Sequence, residues 1–490
     1  MPTSVINDLE PKVLWERFYG ISQVPRPSKK EDKIREYILS LLNELGISFR
    51  EDSTGNILAE LPASRGYEKS PTVILQGHID MVCEKNKDKK HDFENDPIEL
   101  IKENGWIKAN DTTLGADNGI GVASALAIMT DDAAIHGPLE ILLTVDEETG
   151  MTGASNVKPD FIKGRILLNL DSEEDGVFYI GCAGGIDTNA EFKLEKENIP
   201  DGFVAYELLV SGLKGGHSGL NINSGRGNAI KIMARLLKNM DNNDYYIAEI
   251  NGGKLRNAIP REAEVILFIK PEDEKTVKDF IDDFYSKISE EVKNSDMGLK
   301  ISLTKSSSSY NSVIKKAVSN NIINTLIALP HGVISMSQDI PDLVETSINL
   351  AAISTLENKV VIGTSQRSAL ESSRNYAGQN VKAIFELAGA DVKTYDRYPG
   401  WKPNLSSEVL KISKKVYEEL YGEEPEVKAI HAGLETGILR AKNPNLDMVS
   451  FGPTIEGAHS PEERVNIKSV QKFYELLKAI LKEIAVTSVK

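Results

Sequence analysis

Acidic and histidine side chains follow the apolar, strand-like runs of this sequence, at the point where each run ends. The runs and the residues after them are VILQG with His78 and Asp80, EILLTV with Asp146, Glu147 and Glu148, RILLNL with Asp171, and DMVSFG with His459 a few residues further on. In an open α/β sheet the carboxyl ends of the strands form the ligand crevice. Segments far apart in the chain can therefore converge there, and these side chains predict a metal site assembled by the fold.

The chain is long enough for two domains. Its 490 residues exceed the size at which one hydrophobic core usually stops growing. Strand and helix patterns alternate in residues 1–186 and again in 399–490, which predicts an α/β domain with helices on both faces of a mostly parallel sheet. Residues 187–398 mix longer amphipathic helices with strands. We therefore predict that an inserted α+β domain interrupts the first domain.

Hydrophobic periodicity predicts the individual elements. In the α/β domain the predicted helices are 31–45, 119–129, 406–421 and 467–484, and the predicted strands are 56–61, 72–77, 139–145, 165–170 and 447–452. In the inserted block, helix and strand patterns occur in 227–240, 262–269 and 274–292. The block lacks the buried strand followed by an acid that marks the first domain.

The charge of the chain argues against several classes of partner. It carries 57 basic and 73 acidic residues, a net charge of −16, which repels nucleic acid and anionic membranes at long range. No stretch approaches about 18 uninterrupted apolar residues, and the N-terminus lacks a signal-peptide pattern. The two cysteines, Cys83 and Cys182, could form at most one bridge, which fits a reducing compartment. We expect a soluble cytoplasmic protein without nucleic-acid or membrane partners.

The segment around His78 and Asp80 suits metal ligation. Side chains two residues apart in a strand point to the same side. His78 can then bind a metal through one ring nitrogen, while Asp80 accepts the N–H of the other and fixes the tautomer. As a short pattern, His-x-Asp also describes an ordinary hydrogen-bonded pair at a strand end.

A glycine-rich turn places Asp117 directly before a helix, in the motif GADNGIG. Such a turn can indicate a dinucleotide site. Ser124 stands where the third glycine of that pattern would be, and a carboxylate at the turn would repel a phosphate. We therefore favour the interpretation that Asp117 is a carboxylate ligand for a metal.

Three adjacent acids, Asp146, Glu147 and Glu148, stand at the mouth of a predicted buried strand. Their charges repel unless cations or protons intervene. Adjacent glutamates point in different directions, so one can bind a metal while the other takes a proton from water, as hydrolytic zinc sites require. A solvated acidic turn is the alternative.

Together, the histidines and carboxylates make a mixed nitrogen and oxygen ligand set. Such a set suits Zn²⁺, with Mn²⁺ or Co²⁺ as alternatives. A carboxylate shared between two ions would give a co-catalytic pair. We therefore expect two divalent metal ions.

The motifs GHIDMV, GADNGIG, DEETGMTG, LNLDSEE, GGHSG and GAHSPEER occur in this order. They resemble the M20 metallopeptidases, and most closely the aminoacyl-histidine dipeptidases, also called cytosolic nonspecific dipeptidases. The resemblance covers essentially the whole chain. It implies that the inserted domain is a lid and that the protein is a homodimer.

The resemblance also implies a role for each site residue. One metal would be held by His78, Asp117 and Asp171, and the second by Asp117, Glu148 and His459. Glu147 falls at the general-base position, and Asp80 at the position that orients His78.

Four residues of the inserted block and its surroundings match one catalytic and three substrate-binding positions of the family. His217 corresponds to the lid histidine that stabilises the oxyanion, a role that an imidazole donor can fill. Asn257, Arg367 and Gly433 match positions that hold the backbone and terminal carboxylate of the substrate. A surface arginine and a turn asparagine are the alternatives for Arg367 and Asn257.

These observations predict a metallo-dipeptidase that cleaves unblocked dipeptides, including Xaa-His dipeptides, with Glu147 as the general base. One alternative keeps the site but changes the substrate to a tripeptide or an N-acyl amino acid. The other is a metal-dependent binding protein without catalysis, against which the presence of Glu147 argues.

Overall fold

The computed structural model of the protein describes residues 5–240 and 244–487. The chain divides into two compact units. The first consists of Met1–Gly181, Pro403–Ala429 and Leu434–Lys490, and the second of Cys182–Lys402 and Ile430–Gly433. The domain limits drawn from the sequence, at 186 and 398, stay a prediction.

An eight-stranded sheet runs through the first unit. In order across the sheet, its strands are Ser48–Glu51, Ile57–Leu61, Leu139–Thr144, Val73–His78, Ile166–Asn169, Asp447–Ser450, Val177–Cys182 and Glu426–Ile430. The four strands from Leu139–Thr144 to Asp447–Ser450 are parallel to one another. Ser48–Glu51 and Ile57–Leu61 form an antiparallel hairpin, because a short turn can join only antiparallel neighbours.

The parallel strands are apolar because the sheet is covered on both faces. Every residue of Val73–His78 and of Leu139–Thr144 is buried. The helices of this unit are Lys12–Ser22, Asp32–Glu44, Ala116–Ile128, Glu147–Gly150, Thr152–Asn156, Glu408–Tyr421, Glu435–Lys442 and Ile467–Thr487. A small antiparallel sheet has the strand order Ile455–Glu456, Arg464–Asn466, Trp106–Ala109 and Leu100–Glu103.

The second unit contains a large antiparallel sheet. Its main path is Lys300–Lys305, Val204–Ser211, Ala263–Ile269, Tyr246–Gly252, Val344–Thr355, Lys359–Ser368, Gly184–Lys193 and Asp391–Tyr398, and short strands Lys196–Glu197, Val313–Ile314 and Gly332–Met336 pair beside it. Gly216–His217 pairs separately with Ala258–Ile259. The helices are Ala229–Asn239, Glu274–Glu291, Lys316–Ala328 and Glu371–Leu387, with a 3₁₀ turn at Pro271–Asp273. Their apolar faces and the sheet share one core.

The predicted elements lie close to the observed ones. The predicted helix 31–45 is Asp32–Glu44, and 119–129 begins three residues earlier, at Ala116. In the second unit, 227–240 is the helix Ala229–Asn239, which begins there because the Asn228 side chain accepts the N–H groups of Ile230 and Lys231. Within residues 5–240 and 244–487, no helix has the length and apolar character needed to cross a membrane.

Two glycines allow the turn around Asp117 to approach the sheet closely. The buried Asn118 side chain donates a hydrogen bond of 2.7 Å to the carbonyl oxygen of Leu170. A Cβ on Gly121 would lie 2.4 Å from that oxygen, and a Cβ on Gly77 would lie 2.2 Å from Asn118 Oδ1. Close packing therefore explains why glycine occupies positions 77 and 121.

We expect Gly121→Ala to lower the free energy of unfolding by about 1–3 kcal/mol, the usual range for overpacking a buried site. The clash is with a backbone oxygen, which no side-chain rotation relieves. Urea denaturation measures the effect. Gly378→Ala is the control, because it lies in the helix Glu371–Leu387 with its nearest neighbouring atom at 3.5 Å. Equal stability of the two variants would contradict this packing account.

Candidate functional site

His78, Asp117 and Asp171 bring three metal-ligand side chains together in the first unit. His78 ends the strand Val73–His78. Its Nε2 atom lies 3.2 Å from a carboxylate oxygen of Asp117 and 3.2 Å from one of Asp171. An imidazole nitrogen and two carboxylates are ligands that zinc accepts.

Asp117, Glu148 and His459 form a second group. The Nε2 atom of His459 lies 3.1 Å from Asp117 Oδ2 and 3.0 Å from Glu148 Oε2. Asp117 faces His78 with its other oxygen, Oδ1. One carboxylate is thus shared by both groups, which is the arrangement of a bridging ligand between two cations.

The carboxylates of the two groups fit divalent cations. Glu148 Oε1 is buried, and among the described residues it has no hydrogen-bond donor. A buried carboxylate is costly unless it is paired or binds a metal. The three carboxylates of Asp117, Glu148 and Asp171 carry more negative charge than the two histidines can offset, even when both are protonated. The donor set therefore suits two metal ions.

Without bound metal, the carboxylates strongly favour the protonated form of both His78 and His459. Hydrogen bonds to Asp117 and Glu148 raise the pKa of His459 to about 11. Burial disfavours charge on His78, but the charge of Asp171 and the hydrogen bonds to Asp117 and Asp171 raise its pKa well above the ordinary value. Cations compete with these protons, so metal affinity increases as the pH rises.

Asp80 lies behind His78 and is completely buried. Its Oδ1 atom is 3.3 Å from His78 Nδ1, and the Ser28 hydroxyl donates to Oδ2 at 2.8 Å. The backbone N–H groups of Glu147 and Glu148 also donate to this carboxylate. Burial alone would raise the pKa of Asp80, but the hydrogen bond from His78 and the other donors lower it to about 2. Asp80 therefore holds both the imidazole and the turn that carries the two glutamates.

Glu147 lies beside His78 and Glu148, with ligand atoms of all three within 4.8 Å of one another. Asp146 has a φ of +51°, and this left-handed residue turns the chain sharply at the end of the strand. Burial raises the pKa of Glu147 well above its ordinary value, and the charges of Asp171 and Glu148 add to this. A half-buried carboxylate that readily takes a proton suits a general base.

Ser218 connects the predicted substrate residues of the second unit. Its N–H donates to the carbonyl oxygen of Asn257 at 2.7 Å, and Arg367 Nε donates to its hydroxyl at 3.4 Å. A Cβ on the next residue, Gly219, would lie 2.0 Å from the carbonyl oxygen of His431. His217, Asn257 and Arg367 are therefore close to one another and to the segment 430–433, which contains Gly433.

The surroundings of His217 fix its tautomer. Its Nδ1 atom accepts the backbone N–H groups of Gly219 at 3.2 Å and Leu220 at 3.1 Å, so the ring proton is on Nε2. Burial and the positive charge of Arg367 lower the pKa of His217 to about 4. At neutral pH this side chain is an uncharged imidazole with one N–H to donate.

A buried glutamate that the sequence analysis did not select contacts two of the parallel strands. Glu435 accepts hydrogen bonds of 2.7 Å from Gln76 Nε2 and 2.6 Å from the Thr144 hydroxyl, and Gln76 is bonded in turn to Asn169. Burial raises the pKa of Glu435 to about 7. The sequence offered one signal for such a site, since each of these apolar strands has a polar residue near its end: Gln76, Thr144 and Asn169.

Comparison with known proteins assigns the family. The sequence pattern of peptidase family M20/M25/M40 matches residues 74–483. The cytosol non-specific dipeptidase of Escherichia coli (strain K12) is 41% identical over 482 residues, which cover 98% of this chain and 99% of that protein. The chain belongs to peptidase family M20/M25/M40. The resemblance predicted from the motifs is therefore confirmed.

Solved structures of similar proteins confirm the α/β fold class. The aminoacylhistidine dipeptidase of Vibrio alginolyticus is 42% identical, with a TM-score of 0.88 over 98% of this chain and 99% of that one. The aminopeptidase PepT of Bacillus cereus ATCC 10987 is 18% identical, with a TM-score of 0.58 over 97% of this chain and 99% of that one. At that identity PepT supports the shared fold alone.

Proposed function

We propose that this M20 peptidase is a two-metal dipeptidase that cleaves unblocked dipeptides, including Xaa-His dipeptides. The observation that carries the proposal is the shared Asp117 carboxylate, with His78 on one oxygen and His459 on the other, and the half-buried Glu147 near His78. The E. coli relative named as a dipeptidase spans almost the full chain, which supports the choice of substrate.

Two divalent cations would polarise the scissile carbonyl and acidify the attacking water when they are bound. His78, Asp117 and Asp171 would hold one, and Asp117, Glu148 and His459 the other. This ligand set suits Zn²⁺, and Mn²⁺ or Co²⁺ are alternatives.

The side chains of the protein would transfer the proton and stabilise the charge that develops on the substrate. Glu147 accepts a proton from the attacking water and returns it to the departing amine. Asp80 keeps His78 in the orientation that presents Nε2. His217 donates its Nε2–H to the oxyanion that develops on the substrate carbonyl.

Arg367 is proposed to hold the terminal carboxylate of the substrate, together with Asn257 and Gly433. It is a buried arginine at 7% exposure, and its Nη1 atom donates to the Tyr398 hydroxyl at 2.9 Å. A guanidinium can grip a carboxylate with two parallel hydrogen bonds, which a lysine cannot reproduce.

We expect Arg367→Lys to raise KM for dipeptides by about 10- to 100-fold, with a smaller change in kcat, since a charged hydrogen bond contributes about 1.5–3 kcal/mol. Steady-state kinetics on Ala-His measures both constants. Arg235→Lys is the control, because Arg235 pairs with Glu291 on the exposed surface of the same unit. An unchanged KM in Arg367→Lys would remove Arg367 from substrate binding.

Hydrolysis by the metal-stripped protein, with and without added Zn²⁺ or Mn²⁺, tests the proposed function. The substrates are β-Ala-His, Ala-His, Gly-Gly-Gly and acetyl-Met. We expect metal to restore cleavage of the two dipeptides alone. Cleavage of Gly-Gly-Gly or acetyl-Met would keep the site and change the substrate class, whereas two bound metals without any hydrolysis would favour a binding protein.

We also propose that the protein acts in the cytoplasm as a homodimer. The name of the E. coli relative places that protein in the cytosol, and the net charge of −16 suits a protein without anionic partners. Light scattering after size-exclusion chromatography should give twice the mass of the chain. A single-chain mass would contradict the homodimer.

A further inference from the structure

The carboxylate of Glu463 is buried against four successive backbone amides. Glu463 is 2% exposed. Its Oε2 atom accepts the N–H groups of Leu114 at 2.8 Å and Gly115 at 3.0 Å. Its Oε1 atom accepts those of Ala116 at 2.7 Å and Asp117 at 3.3 Å. Converging amides of this kind form an anion-binding nest, so this one side chain fixes the backbone that leads into Asp117.

Arg26 holds the same turn through a carbonyl group. This arginine is also 2% exposed. Its Nη2 atom donates to the carbonyl oxygen of Gly115, and its Nη1 atom donates to those of Ile79 at 3.1 Å and Asp80 at 2.8 Å. Gly115 has a φ of +69°, and a Cβ there would lie 2.4 Å from Arg26 Nη2. Arg26 thus joins the segment after His78 to the turn before Asp117.

These contacts tie together three chain segments that each carry a candidate ligand. Glu463 follows His459 by four residues, in the connection between the short strands Ile455–Glu456 and Arg464–Asn466. Anchoring Glu463 on the turn before Asp117 therefore restrains the His459 connection relative to Asp117. The two side chains can then keep the 3.1 Å approach between His459 Nε2 and Asp117 Oδ2.

We propose that Glu463 is a positioning residue that sets the separation of Asp117 and His459, and with it the affinity of the Asp117, Glu148 and His459 group for its cation. Arg26 supports it by holding the same turn before Asp117. The inference rests on the proposed two-metal function. Neither residue belongs to either ligand group. They act through the backbone, in the way that outer hydrogen bonds orient metal ligands.

Glu463→Gln tests the proposal with little change in size. It replaces one accepting oxygen with an NH₂ group, which faces backbone N–H groups instead of accepting from them. Glu462→Gln is the matched control, because the neighbouring Glu462 is exposed. The metal-stripped proteins are titrated with Zn²⁺ in competition with a chromophoric chelator, and thermal unfolding is followed without metal.

We expect Glu463→Gln to weaken one of the two Zn²⁺ equivalents by about 10- to 100-fold, as outer-shell substitutions commonly do, and the other equivalent by less. Glu462→Gln should bind both as the wild type does. Wild-type affinity for both equivalents in Glu463→Gln would overturn the proposal, even if its melting temperature fell, because the role would then be stability alone.

Arg26→Lys gives a second route if Glu463→Gln does not fold. Lysine keeps the positive charge but lacks the fork that reaches three carbonyl groups. Because Arg26 holds the turn before Asp117, which belongs to both ligand groups, weaker binding of at least one Zn²⁺ equivalent is expected, and wild-type affinities for both would overturn the proposal. A wild-type protein that binds no Zn²⁺ would instead overturn the proposed function, so the two failures are distinguishable.

Discussion

Glu147→Gln should keep both bound metals and lower kcat for dipeptides by about 10²- to 10⁴-fold, the usual contribution of a general base. Glutamine has the same shape but cannot accept the proton of the attacking water. The carboxylate of Glu147 is not part of the two groups that share Asp117. Its loss should therefore leave metal affinity almost unchanged.

Metal content and kcat, measured on the same preparation, separate the possible outcomes. Glu36→Gln is the control, since Glu36 is an exposed residue on the helix Asp32–Glu44. Unchanged activity would remove Glu147 from the mechanism. Loss of metal together with activity would assign Glu147 to ligation instead of proton transfer.

Asp117→Asn should weaken both metals and lower kcat/KM by about 10³-fold or more, because bound metals supply several kcal/mol of transition-state stabilisation. The two oxygens of Asp117 face different histidines, His78 and His459. An amide keeps the size of the side chain but removes the charge that two cations would share. No other side chain belongs to both groups within the described part of the chain.

His459→Gln provides the contrast for this prediction. His459 belongs only to the group with Asp117 and Glu148. The His459→Gln variant should therefore lose one metal equivalent, whereas Asp117→Asn should weaken the binding of two. Metal stoichiometry by elemental analysis after dialysis measures the difference. The same stoichiometry in both variants would contradict a bridging role for Asp117.

The strands that position the site could be predicted from the sequence because they are buried on both faces. The runs VILQG and EILLTV read as continuous apolar segments, and both strands are buried throughout. Each parallel strand then delivers its polar residues to the same edge of the sheet. His78, Glu148, Asp171 and His459 could therefore be chosen as candidates, and the glycine-rich turn before a helix added Asp117. Only the family resemblance divided the five into two groups.

The residues that support the ligands could not be predicted, because their partners are backbone groups or distant side chains. Glu463 bonds to Leu114, 349 positions away in the sequence, and the Arg26 guanidinium donates to three backbone carbonyl oxygens. Backbone partners leave no signature in the amino-acid pattern. The edge strand Ser48–Glu51 was also not predicted. It is only partly buried and shows no strong alternation of buried and exposed residues.

The most direct test of the central claim is a Zn²⁺ titration of the metal-stripped protein, with bound metal and Ala-His hydrolysis measured in the same samples. If two metals act together at Asp117, hydrolysis should be absent without metal and should reach its maximum at two Zn²⁺ per chain. Full hydrolysis by the metal-free protein, or two bound Zn²⁺ without hydrolysis of any dipeptide, would contradict the account.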